Sequence, residues 1–343
     1  MGLRLRHLLG GASIAAAIVT APHATRAEPH PAMTKTVPVR AELPPASRAA
    51  RELTNDLGPE IAYDGWKGLT GGCSYITPKE NFIGADGGID VVFHFHAGQM
   101  AERQLKASGT NAVFVSCGFG LGTTPYSERF ASPGAFGWMV DKLVKSIEAE
   151  HRGPNVRLRH VVLASWSAGF AAVGKILSVP RYYDMVDAVI LNDSLHARYK
   201  GESKAAGQGW ENVDVDSMGT WLKLANDATH GKKAFVITHT AILPPDYASS
   251  TEATAALMTA ANVPLVEVRE DERPEAFCAV NAARGRPMSL AVKADVGALH
   301  VRGYRGRGPK DHFDHLYLVG EALRSWVVRR WKREDRLVYT LAR

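Results

Sequence analysis

A mostly parallel β-sheet with helices on both faces is the fold class that this 343-residue chain predicts. Three observations carry that expectation. From about residue 86, apolar runs alternate with helical stretches, the pattern of strand–helix–strand units. Runs such as V-V-L-A at 161–164 and A-V-I-L at 188–191 are apolar throughout, as strands buried on both sides are. With 45% hydrophobic and 22% charged residues, the chain is too apolar for disorder and long enough to bury a large core.

The elements follow in order. Residues 89–95 (I-D-V-V-F-H-F) read as a strand and 100–108 as a short helix. A second strand spans 111–116 (N-A-V-F-V-S), and an amphipathic helix spans 134–151. The strand at 159–164 (R-H-V-V-L-A) runs straight into a helix at 168–177, and 186–191 (V-D-A-V-I-L) form the next strand. A helix at 216–229 precedes a strand at 234–238. After a less regular stretch come a strand at 299–304 and a closing helix at 313–332. No repeat and no second composition regime interrupts 86–343, which reads as one catalytic-size domain.

The residues before it read differently. Arg4 and Arg6 precede an uncharged, Ala- and Leu-rich run at 8–21, and small residues lead to a cleavage point after Ala27 or Ala21. Residues 1–27 are therefore an expected export signal, too short in its apolar part for a membrane span. Residues 28–85 read as a Pro/Ala-rich lead-in and N-terminal extension. Cutting after Ala27 removes three arginines and takes the net charge from +6 to +3. Secretion or a periplasmic location permits a disulfide among Cys73, Cys117 and Cys278, with the pairing open.

The most informative segment is V-V-L-A-S-W-S-A-G-F-A-A, residues 161–172. A small-x-Ser-x-Gly arrangement at a strand-to-helix turn keeps the flanks small and raises the central hydroxyl at the sheet's carboxyl edge. Ser167 is that central residue, Ser165 and Gly169 are the flanks, and Ser165 is the lesser candidate nucleophile. The helix behind Ser167 favours negative charge, and the Ala168 N–H points to an oxyanion donor. Through S-W-S-A-G and the order of elements over roughly 86–335, the chain resembles the α/β-hydrolase superfamily, with Ser165 where that family most often has Gly.

The resemblance implies the remaining machinery. The loop after the first clear strand, H-F-H-A-G-Q at 94–99, would supply a second oxyanion donor, the N–H of Gly98 or Gln99. The base would precede the last helix, in G-R-G-P-K-D-H-F-D-H-L at 306–316, as His312 or, one turn on, His315. The acid would be Asp193, directly after the strand ending A-V-I-L-N, or Asp246 in L-P-P-D-Y. Either choice keeps the Ser, acid, His order of the family.

Other constellations compete. His94 and His96 alternate on a strand, and with Asp311, His312 or His315 they suggest a metal-dependent hydrolase. Cys117 lacks an elbow leading into a helix. The glycine run at 118–122 lacks a P-loop lysine and reads as a loop beside the pocket. A non-catalytic binding protein on the same fold is a third reading. Arg302, Arg305, Arg307 and Lys310 near His312 suggest an acidic substrate. The basic end at 324–333, with Leu323, Trp326 and Val327 packing inward, reads as a solvated helix able to touch an anionic envelope surface. Nothing in the charge calls for nucleic acid. The favoured expectation is an exported serine hydrolase that cleaves an ester, or an amide, in a small molecule or polymer through Ser167, His312 and Asp193, with no cofactor.

Overall fold

The computed structural model describes residues 61–151, 155–201, 207–269 and 288–332. The expected export signal, the lead-in up to residue 60, and Cys278 lie outside them. Among the described residues ten strands form one mixed sheet: β1 (Lys67–Thr70), β2 (Cys73–Ile76), β3 (Gly88–Phe95), β4 (Val113–Cys117), β5 (Arg157–Trp166), β6 (Ala188–Asn192), β7 (Ala234–Thr240), β8 (Val266–Glu267), β9 (Leu290–Val296) and β10 (Leu299–Tyr304). Their spatial order is β1-β2-β4-β3-β5-β6-β7-β10-β9-β8. Strands β4, β3, β5, β6, β7 and β10 are parallel, and antiparallel strands flank them on both sides.

The helices are α1 (Glu102–Ala107), α2 (Thr124–Arg129), α3 (Ala135–His151), α4 (Phe170–Leu177), α5 (Pro180–Met185), α6 (Gly219–Thr229), α7 (Ser250–Ala260), α8 (Pro309–Leu316) and α9 (Val319–Ala322). Alternation along each strand sends side chains to two separate cores. Phe93, Phe95, Leu163, Leu191 and Ile237 pack on one face with Phe136, Leu143 and Ile147 of α3 and Val173 of α4. Val92, Val162, Ile190 and Val236 pack on the other with Leu105 of α1 and Val319, Leu323 and Val327 near the C-terminus. No helix of the described residues is long and apolar enough to cross a membrane.

The sheet reaches further towards the N-terminus than residue 86, because β1 and β2 pair onto the edge of β4. That pairing sets Cys73 opposite Cys117, and a disulfide joins them. The stretch after β7 contains α7, whose first turn is closed by a capping box. The Ser249 hydroxyl accepts from Glu252 N–H, and Glu252 accepts from Ser249 N–H. The closing helix is not continuous over 313–332. It starts at Pro309, breaks after Leu316, and resumes as α9 and a π-turn over Leu323–Val327. Gly320 lets α9 lie on α1, since a Cβ there would stand 2.0 Å from Gln104 O.

The strand order reverses direction at β3 and β5. From this pair, chain connections run outward in opposite directions, which opens a crevice at their carboxyl ends.

Candidate active site

Strand β5 ends at Trp166, and a single 3-10 turn over Ser167–Gly169 connects it to α4. Ser167 holds φ at 51°, a left-handed conformation that a non-glycine residue adopts only when its surroundings enforce it. The enforcement is visible. A Cβ on Gly169 would stand 2.2 Å from Phe95 O, so the turn is pressed against the end of β3. Below it, Ser194 Oγ donates to Ser167 O at 2.7 Å, and Ser165 Oγ is 2.8 Å from Ser194 Oγ. With Ser194's proton used on the carbonyl, Ser165 donates to Ser194. Ser165 is fully buried in this relay, whereas Ser167 is half-buried at the carboxyl edge.

Asp193 follows β6 directly, with φ at 44° and its N–H bonded to Thr238 O. Its buried carboxylate collects four donors. Oδ1 accepts from Thr240 N–H at 3.0 Å and from the Ser250 hydroxyl; Oδ2 accepts from Thr240 Oγ1 at 2.9 Å and from His312 Nδ1 at 2.6 Å. Burial opposes the charge. The His312 hydrogen bond, the nearby His315 and His312 imidazoles and the Ser250 hydroxyl outweigh it, holding this carboxyl below the usual carboxylate range. Because Asp193 can only accept, His312 carries its proton on Nδ1 and keeps Nε2 as the lone-pair nitrogen. His312 sits in the first turn of α8, where Pro309 starts the helix and Asp311 accepts from Gly308 N–H.

Trp166 links base and elbow. Its Nε1 donates to His312 O at 2.8 Å, and its ring lies 4.6 Å from the His312 ring. No hydrogen bond joins Ser167 Oγ to His312 in this structure; such bonds often tighten only when substrate is bound.

The loop after β3 runs beside the elbow. His96 and Ala97 both have positive φ, at 73° and 57°, and a 3-10 turn starts at Gly98. His96 stacks on Trp166 at 5.0 Å and bonds to the Tyr126 hydroxyl at 2.6 Å. Burial, and after it the neighbouring His312 imidazole, lower its pKa. Gly98 is buried over His94 and Ser116, whereas Gln99 is exposed and donates to Ser74. N–H groups that open a helical turn have no partner inside it, which applies to Ala168, Gly98 and Gln99 alike.

A mostly parallel sheet with reversed strand order, a strained serine turn at its crevice and an acid and histidine later in the chain decide the fold. This is the α/β-hydrolase fold. No family model and no curated protein matches the chain. Among solved structures it is similar to ferric enterobactin esterase from Salmonella typhimurium, at 12% identity over 73% of this chain and 54% of that one, with a TM-score of 0.37. It is also similar to an IroE-like serine hydrolase from Shewanella oneidensis (12%, 73% and 76%, 0.35). A third is the BES protein from Bacillus cereus (11%, 76% and 97%, 0.38). The chain spans about half the length of the enterobactin esterase. Likenesses at this level bear on neither substrate nor mechanism.

Within this hydrolase fold the remaining candidates fall elsewhere. Asp246 lies on an exposed loop. His315 is fully buried, bonded through Nδ1 to Thr238 Oγ1 at 2.7 Å and set edge-on to Tyr304. His96 lies past the end of β3, so the strand alternation expected of His94 and His96 stops at His94. Among the described residues no group of three or more His, Cys, Asp or Glu is arranged to hold a metal ion. Arg302 is buried, paired with Asp295 at 3.0 Å and stacked over Trp326, so it does not face a substrate. Cys117 is held in the disulfide, with Met139 Sδ 3.7 Å from both sulfurs.

Sequence reasoning did not find the supporting residues Ser194, Thr240, Ser250, Trp166 and Tyr126. Only Ser250 had a local signal, because it stands inside the S-x-x-E start of α7.

Proposed function

We propose that the protein is an exported serine hydrolase that cleaves carboxylic esters. The observation that carries this reading is the Asp193–His312 hydrogen bond beside the strained Ser167 turn. It orients an imidazole whose free nitrogen can take a serine proton. In the first step His312 Nε2 takes the Ser167 hydroxyl proton as Oγ bonds to the ester carbonyl carbon. The oxyanion is met by the Ala168 N–H and by the N–H of Gly98 or Gln99. The imidazolium, paired with Asp193, then protonates the leaving alkoxide as the ester C–O bond breaks. Water repeats the sequence on the acyl-enzyme, releases the acid and returns the proton to Ser167. No step calls on a cofactor.

Export is supported by the basic, apolar and small-residue order of the first 27 residues. The Cys73–Cys117 disulfide suits the oxidising compartment to which export leads.

The test is labelling with a fluorophosphonate. The wild type should label and Ser167→Ala should not. A wild-type protein that resists the probe yet hydrolyses esters until a chelator is added would overturn the reading in favour of a metal-dependent enzyme. One that neither labels nor hydrolyses would point to a binding protein.

A further inference from the structure

Ser167 is bracketed in sequence by Trp166 and Phe170, and their rings belong to two separate aromatic groups. On one side Trp166 contacts Phe313 at 5.0 Å, besides His96 and His312. On the other, Phe170 meets His196 edge-on at 5.3 Å, and His196 meets Tyr247 edge-on at 5.2 Å. Each group ends in an exposed ring, Phe313 at 44% and Tyr247 at 39% exposure.

Scattered exposed apolar residues need no explanation, but these two rings each lead back, ring to ring, to a residue flanking Ser167, so an apolar body bound there would cover them. The two exposed rings also say what shape fits. Aromatic rings pair best with another ring, offset or edge-on, whereas a flexible chain gains only buried area.

We propose that the substrate is an ester with an aromatic ring beside the scissile bond, on the acyl or the alcohol side, and that Phe313 and Tyr247 select it. This rests on the serine-hydrolase reading above and narrows its substrate class.

The experiment compares ethyl cinnamate (ring on the acid), benzyl acetate (ring on the alcohol), ethyl hexanoate and ethyl acetate, using enzyme first shown to label with a fluorophosphonate. At least one ring-bearing ester should exceed both aliphatic esters in kcat/KM by tenfold or more, and the better of the two identifies the side. Phe313→Ala and Tyr247→Ala should each lower the ratio of that value to the ethyl acetate value fivefold or more. Tyr247→Phe, which keeps the ring, should behave as wild type. Three results would overturn the proposal in labelled enzyme. These are ethyl hexanoate turned over as well as the aromatic esters, a rate that jumps only when tributyrin forms an interface, or alanine variants that slow every ester equally. Failure to label would instead remove the serine-hydrolase reading itself.

Discussion

Replacing Asp193 by Asn tests the proposed acid with almost no change of shape. The carboxylate accepts from Thr240 N–H and the Ser250 hydroxyl on one oxygen, and from Thr240 Oγ1 and His312 Nδ1 on the other. An asparagine must present an NH2 group on one side. Turned towards Oδ1, the amide would oppose the Thr240 backbone N–H, a donor that cannot reverse. The hydroxyls of Thr240 and Ser250 can rotate to accept, so the NH2 turns towards Oδ2 and faces His312. His312 then accepts through Nδ1 and moves its proton to Nε2, the nitrogen required as a base. A wrong tautomer of this kind costs about 10⁴ in kcat, or about 5 kcal/mol of transition-state stabilisation. The assay is kcat on a soluble ester, with circular dichroism and Tm confirming the fold and Asp246→Asn as the parallel variant. Activity within tenfold of wild type for Asp193→Asn would refute the reasoning, most clearly if Asp246→Asn carried the loss.

Gly169→Ala should disrupt the elbow, because its Cβ would meet the Phe95 backbone at 2.2 Å. Overpacking of this kind costs roughly 3 kcal/mol, so both a lowered Tm and lost labelling are expected. An unchanged Tm with normal labelling would mean the turn is not held there. Reducing the Cys73–Cys117 disulfide, which closes a separation of 44 residues, should destabilise the protein by about 4 kcal/mol on the chain-entropy account. Equal urea midpoints with and without reductant would contradict this. Acid should destabilise the protein between about pH 6.5 and 4. His94, His239 and His315 are buried, and desolvation brings their pKa values down to about 3, about 4 and about 4. Below the unfolded value of about 6.5 the unfolded chain binds protons that the folded chain refuses, so stability falls as pH falls. Asp193 acts in the same direction but later: its depressed carboxyl pKa supplies stability above about pH 3.9, lost only in stronger acid. Flat stability by urea titration from pH 7 to 4 would rule out the histidine effect.

The six parallel strands were legible because burial on both faces demands apolar runs, and β3 and β6 are buried throughout. The short antiparallel strands beside the parallel core carry no such demand. The half-exposed K-G-L-T of β1 shows no run, and C-S-Y-I of β2 is only four residues long. Helix α7 escaped because its buried face is largely Ala, Ser and Thr, although its capping box was readable. The start of α8 escaped because P-K-D-H-F-D-H-L is polar, and Gly308 and Pro309 mark it better than periodicity does.

What the sequence determined by itself is therefore local: the strand–helix alternation, and a serine turn whose steric needs are written within five consecutive residues. Tertiary structure alone decided what lies between distant segments. His312 meets Asp193 across 119 positions while Asp246 stays on an exposed loop, Cys73 finds Cys117 across 44, and Tyr247 reaches the ring beside Phe170. Sterics of a turn act between neighbours in the chain, whereas a hydrogen bond, a disulfide or a ring contact acts only between neighbours in space. The packing of the sheet chooses those neighbours.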